Sequence, residues 1–202
     1  MAADPFITLS ADGEQTEVHD DTGTHISAAD PFLLLKQALV PYAMPVCELP
    51  FCGGAIGYFG YDLARRLERL PHLALDGEQI PQMMVGVYDW AVIVDHRKQR
   101  AWLISQGKNA QTQENWPALC ALFDAPQGDT HSEFKLTSSV TSNMDLPAYT
   151  AAFDKIQNYI SEGDCYQVNL AQRFAAKAEG DAWAAYLHLR SISIPAHGRT
   201  VT

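Results

Sequence analysis

The chain has 202 residues, a formal net charge of −10, 47% hydrophobic and 19% charged residues, the composition of an ordinary globular protein rather than a disordered or fibrous one. One large domain or two small ones of this length can bury roughly 70% of the unfolded surface. The acidic balance excludes the basic face that nucleic-acid binding needs, and no apolar run reaches the roughly 18 residues of a membrane span.

Met1-Ala2-Ala3-Asp4-Pro5-Phe6 has no basic region or apolar leader, so a cytoplasmic location is expected. Cys47, Cys52, Cys120 and Cys165 read as free thiols of a reducing compartment. Cys47 and Cys52 resemble half a zinc site, but no second pair stands at ligand spacing, and the histidines are scattered. No metal site is expected from them.

Residues 4–20 read as a β-hairpin turning at Asp12-Gly13. Asp30-Pro31 starts a helix with Asp30 as its cap. Phe32, Leu34, Leu35, Ala38 and Leu39 form its apolar stripe, and Pro41 ends it. A glycine-rich strand follows at 51–60 and a short helix at 61–70 that carries Arg65, Arg66 and Arg69. Gly54, Gly57 and Gly60 stand three apart, which is not the spacing of a phosphate-cradling fingerprint. Three arginines on one short helix read as a solvated or ion-paired face, with docking of an anion or partner as the other reading.

Residues 85–94 and 100–104 read as two strands with Trp90 in the core, 106–115 as a polar loop, and Asn115 as the cap of a short helix with Pro117 in its first turn. The stretch 124–143, rich in Ser, Thr, Asp, Gly and Pro, reads as a connection with a short extended patch at 134–137. Beyond it Tyr149, Phe153, Ile156 and Ile160 recur at helical spacing, with Asp145 or its neighbour as the cap, and Gly163 closes the helix. Tyr166, Val168 and Leu170 then alternate with Gln167, Asn169 and Ala171, which predicts a strand with one face of neutral amides. Asp181 caps a last helix carrying Trp183, Tyr186 and Leu187.

The string Gly163-Asp164-Cys165-Tyr166-Gln167-Val168-Asn169-Leu170-Ala171-Gln172-Arg173-Phe174 resembles the start of the chorismate-binding domain of aminodeoxychorismate synthase component I. That family belongs to the superfamily of anthranilate synthase component I. Phe51, Gly53, Gly54, Gly57, Tyr61, Asp62, Arg65 and Leu70-Pro71 resemble a motif of the superfamily's N-terminal domain, as does Gly86-Val87-Tyr88-Asp89-Trp90. The resemblance implies an α+β fold of antiparallel sheets flanked by helices, here an incomplete αββα sandwich. It divides the chain into an N-terminal domain at 1–125, a connection at 126–143, the start of the chorismate-binding domain at 144–190 and an unrelated tail at 191–202. The likeness covers less than half of a family enzyme, so a chain truncated at both ends, through a frameshift or a shortened gene model, is expected.

The resemblance also implies a reaction, amination of chorismate with ammonia that a glutamine amidotransferase subunit releases, on the route to 4-aminobenzoate and folate. It implies Mg²⁺ held by glutamates and a nucleophilic lysine in a Pro-Ile-Lys-Gly-Thr string. Lys36, Lys98, Lys108, Lys135, Lys155 and Lys177 lie in no such string, and Glu14, Glu17, Glu48, Glu68 and Glu78 are dispersed. No catalytic, cofactor-binding or metal residue is therefore assigned, and the isolated chain is expected to be inactive. Two other readings stand beside this one: a portion of anthranilate synthase component I, and a non-catalytic docking module for the glutaminase subunit.

Overall fold

Apolar residues at every second position build the first sheet. β1 (Ile7–Asp12) buries Ile7, Leu9 and Ala11, and pairs antiparallel with β2 (Gln15–Asp20), Leu9 lying opposite Val18. Gly13, at φ +52°, makes the turn between them, as the sequence predicts. A third strand, β3 (Gly23–Ser27), extends the hairpin into a meander that sequence reading missed. The turn before β3 is built by Asp20, whose Oδ1 accepts from the Thr22 N–H at 2.9 Å and from its hydroxyl at 2.6 Å.

These coordinates come from a computed structural model that describes residues 1–42, 48–73, 76–125 and 132–193. The chain divides into two compact units, Met1–Pro126 and Gln127–Thr202.

In the first unit, α1 (Pro31–Leu39) starts as predicted: Asp30 Oδ1 accepts from the Phe32 N–H at 2.8 Å, with Pro31 in the first turn. A single 3₁₀ turn, Val40–Tyr42, follows it. Leu34, Leu35, Ala38 and Leu39 pack on the core, whereas Phe32 stays 41% exposed and stacks on Phe59 with ring centroids 5.3 Å apart. β4 (Gly54–Phe59) and β5 (Met83–Tyr88) complete a five-stranded antiparallel sheet in the order β3-β2-β1-β5-β4. The core lies on one face of it: Leu9, Met83 and Val87 are fully buried, with Leu63 reaching up from a 3₁₀ helix, Tyr61–Arg66. That helix is shorter than the expected 61–70.

The strand predicted over 85–94 is two strands. β5 ends at Tyr88, and β6 (Trp90–Asp95) pairs with β7 (Arg100–Ser105) in a separate sheet. Asp89 is the joint, 1% exposed. Its carboxylate accepts from the Ser105 hydroxyl and the Lys108 N–H, and its carbonyl from the Gln106 N–H, each at 2.9 Å. A chain leaving one sheet for another gives up ladder bonds at the step, and this aspartate supplies replacements.

The next helix, α2 (Ala110–Asp124), has its cap at Asn109, six residues before the expected cap at Asn115. Asn109 caps it through the Thr112 N–H at 2.9 Å, and Pro117 is carried inside the helix instead of opening it. Trp90 is buried, as expected, and meets the Phe123 ring edge-on at 6.1 Å. Cys120 and Cys165 hold free thiols. Cys52 is disulfide-bonded, which corrects the expectation of free thiols at that position; Cys47 lies outside the described residues.

In the second unit, two short ladders join β8 (Lys135–Leu136) to β11 (Ala178–Glu179) and β9 (Thr141–Ser142) to β10 (Phe174–Ala175). α3 (Leu146–Glu162) is capped by Asp145, which accepts from the Ala148 N–H at 2.9 Å. Gly163, at φ +84°, closes it in the left-handed conformation, and the Asp164 N–H reaches back to the Tyr159 carbonyl at 2.9 Å. α4 (Ala182–Ile192) starts at Asp181, which accepts from the Trp183 N–H at 2.8 Å. Neither helix has a buried residue.

Residues 166–170 form no strand, against expectation. A strand exists only through bonds to a neighbour, and among the described residues none pairs with this segment. Most of the predicted tail, 194–202, also lies outside the described residues.

Candidate functional site

Two segments singled out by the sequence, one in each unit, are each a separate candidate site. In the first unit, β4 runs antiparallel to β5 with Gly57 opposite Val85. A Cβ on Gly57 would run into the Met84 carbonyl, so this glycine serves close strand approach and not phosphate binding. The motif residues that follow are committed to the fold. Asp62 pairs with Arg65 at 3.0 Å, and the same guanidinium donates to the Leu70 carbonyl at 3.3 Å and to that of Pro71. Arg66 donates to the carbonyls of Gly13, Ala28 and Ala29, the last at 2.9 Å, and so ties the 3₁₀ helix to the β1–β2 turn and the approach to α1. The ion-paired reading of this helix holds for Arg65, and Arg69 lies beyond its end.

Beside it, a cleft of about 270 Å³ is lined by Asp12, Asp62, Asp76 and Glu78, with Arg65 among them. The arginine and its pairing with Asp62 make this a poor seat for a divalent cation. Among the described residues no group of three or more His, Cys, Asp or Glu is placed to hold a metal ion. The residues present therefore do not fit the Mg²⁺ that the resemblance implies. At the turn before β3, the Thr22 hydroxyl, and then its backbone N–H, hold the Asp20 carboxyl below the ordinary carboxylate value.

In the second unit, residues 164–173 run on from α3 as an open segment. Tyr166 is fully exposed, and Gln167 Nε2 donates to Asn169 Oδ1 at 3.3 Å, so the two amides share one side of the chain. Gln172 donates to the Met144 carbonyl at 3.3 Å, and Asn143 Oδ1 accepts from the Arg173 N–H at 2.8 Å. Gln167 and Asn169 present neutral donors and acceptors, and the acid and the thiol of this segment, Asp164 and Cys165, precede them in the chain.

All six lysines are exposed. Lys135 pairs with Glu179 at 3.8 Å, and Lys155 lies over the Tyr159 ring at 5.6 Å. None has the buried surroundings that make an amine nucleophilic. The residue that sequence reading missed is Asp89, which it quoted only within a family string. The available signal was a lone carboxylate inside an apolar run, which must be satisfied if the run is buried.

Comparison with known proteins places this geometry. The family described as chorismate binding enzyme matches residues 1–197. Aminodeoxychorismate synthase component 1 of Salmonella typhimurium is 41% identical over 192 residues, 94% of this chain and 41% of that protein. Anthranilate synthase alpha subunit 2 of Arabidopsis thaliana is 27% identical over 221 residues, 96% of this chain and 36% of that protein. The crystal structure of anthranilate synthase component I from Streptococcus pneumoniae superposes with a TM-score of 0.80 at 22% identity, over 95% of this chain and 44% of that one. The fold is thus shared, and the chain spans about two fifths of the length of the curated relatives it matches.

Proposed function

The chain belongs to the chorismate binding enzyme family, and from that premise we propose that it is a portion of an aminodeoxychorismate synthase component 1. The observation that carries the reading is 41% identity across 94% of the chain, against 27% for the plant anthranilate synthase. The reaction assigned to the whole enzyme is replacement of the chorismate ring hydroxyl by an amine, giving 4-amino-4-deoxychorismate for 4-aminobenzoate and folate. A glutamine amidotransferase subunit would supply the ammonia in the cytoplasm, and the Mg²⁺ that the resemblance implies would be held by residues absent from this chain. The division at 125, 143 and 190 is part of the same proposal.

Within that enzyme, this chain's residues build framework. The buried Asp89 fixes the step between sheets, Arg66 ties the 3₁₀ helix to two loops, and Gly163 ends α3 at the segment bearing Gln167 and Asn169. Those amides can hydrogen-bond a neutral or anionic oxygen, and the proposal assigns no described residue to a bond-forming or proton-moving step. The purified chain, given chorismate, ammonia and Mg²⁺, is expected to show no turnover, and turnover above background removes the framework reading. Restoring the chain to a full-length enzyme is the positive test: 4-amino-4-deoxychorismate as product supports the assignment, and anthranilate transfers it to the sister enzyme.

A further inference from the structure

A second cleft of the first unit, about 340 Å³, lies where the start of α2 meets the turn before β3. Phe6, Trp90 and Leu119 give it an apolar wall, and Asp4, Asp20 and Asp21 place three carboxylates around it. That is the volume and the kind of lining that a small molecule occupies. No lysine or arginine is among the described residues that line it. Asp4 and Asp21 have no hydrogen-bond or ion-pair partner among the described residues. His19, the other titratable group of the lining, holds its Nδ1 2.8 Å from Thr24 Oγ1.

Trp90 adds an unmet donor. It is 6% exposed, and its indole N–H donates to no group of the described residues. A tryptophan buried to that degree ordinarily finds an acceptor for this donor. Among the described residues, the side-chain atoms sealed from water without a partner are Thr16 Oγ1 and Gln82 Oε1. The Trp90 N–H is not one of them, so it still opens to solvent, and the cleft is the opening that Trp90 lines.

A ligand that answers both features carries a cation for the carboxylates and an oxygen that accepts from the indole. The carboxylates do not form a chelate, since no group of three or more His, Cys, Asp or Glu among the described residues could hold a metal ion. Negative charge spread around an apolar wall suits an organic ammonium, whose hydrocarbon body covers Phe6 and Leu119. We propose that this cleft binds a small primary amine bearing a hydroxyl or carbonyl oxygen, with its ammonium toward Asp4, Asp20 and Asp21 and its oxygen on the Trp90 N–H. A carboxylate on the same ligand would meet like charge and is selected against. The site is independent of the reaction assigned above, and its loss would leave that assignment untouched.

Tyramine, a primary amine with a phenol hydroxyl, is the probe, titrated into the full 202-residue chain. Calorimetry reads affinity, and the Trp90 indole N–H resonance, identified with Trp90→Phe, reads position. Saturable one-to-one binding is expected, with that resonance moving downfield as the N–H gains an acceptor. Phenethylamine, which lacks the oxygen, 4-ethylphenol, which lacks the ammonium, and tyrosine, which adds a carboxylate, should each bind about tenfold more weakly. Asp4→Asn and Asp21→Asn, at exposed positions, should each weaken tyramine about threefold. Asp76→Asn, in the other acidic cleft, should leave its affinity unchanged.

Absence of saturable binding, equal affinity for tyramine and tyrosine, or an unmoved indole resonance would each overturn the proposal. So would equal losses from Asp21→Asn and Asp76→Asn, which would reduce the effect to attraction by the net charge of −10. Should Trp90→Phe lose its fold, the probe series and the aspartate variants decide alone.

Discussion

The two units are written in the same local language and reach different states of burial. In the first, α1 lays its stripe against a sheet whose Leu9, Met83 and Val87 are sealed from water. In the second, α3 is longer and capped at both ends, yet Phe153 is 47% exposed and Ile160 38%, and α4 leaves Trp183 and Tyr186 half exposed while they stack on each other at 4.9 Å. Caps and spacing decide where a helix starts and stops. Its stability comes mainly from what covers its apolar face.

The largest expected difference comes from separating the units. Residues 1–126 alone should melt cooperatively, with slow amide exchange in β1 and β5. Residues 127–202 alone should show no cooperative transition, and a sharp melt from that piece would erase the contrast. Within the intact chain, Leu9→Ala should cost about 2–5 kcal/mol, as large-to-small changes in a packed core do, and Phe153→Ala less than about 1 kcal/mol. Urea titration of both variants checks this, and similar losses would mean that α3 is covered after all.

A smaller effect is expected at the joint between sheets. Asp89→Ala leaves the Lys108 N–H and the Ser105 hydroxyl without their acceptor and should cost about 1–3 kcal/mol. Faster amide exchange at Gln106 and Lys108 would locate the damage. The smallest concerns Asp20. Thr22 holds its folded carboxyl below the ordinary value, so its contribution to stability is present above the unfolded value and is lost as pH falls through the folded one. Thr22→Val removes the hydroxyl bond, so the Asp20 titration followed by carboxyl NMR should move up toward the ordinary value; an unmoved curve would show that the backbone N–H suffices.

Where sequence reading succeeded and failed follows from the range of the bonds involved. The caps at Asp30, Asp145 and Asp181 were legible because each is closed by an N–H two or three residues away. The turn at Gly13 and the stop at Gly163 were legible because a positive φ selects glycine. α2 was misplaced because Asn109 and Asn115 are both acceptable caps by type, and Pro117 favoured the wrong one. The run 85–94 was read as one strand because alternation cannot reveal that Tyr88 and Trp90 belong to different sheets.

The candidate site divides in the same way. Residues 51–62 and 163–174 were visible as strings, and so was their kinship. The commitment of Arg65 and Arg66 to backbone carbonyls was not, because those carbonyls belong in part to turns more than thirty residues away. The amide-bearing segment was read as a strand from its side chains alone, and without a neighbouring ladder it is not one.

By itself, the sequence determined the family, the helix limits set by short-range caps and the turns that require glycine, since each depends on residues close together in the chain. Only the tertiary structure decided which alternating runs share a sheet, that Asp89 is a buried joint, and that Trp90 shares a cleft with three carboxylates. Those properties depend on neighbours brought from far along the chain, and burial is a relation between segments that no single segment carries.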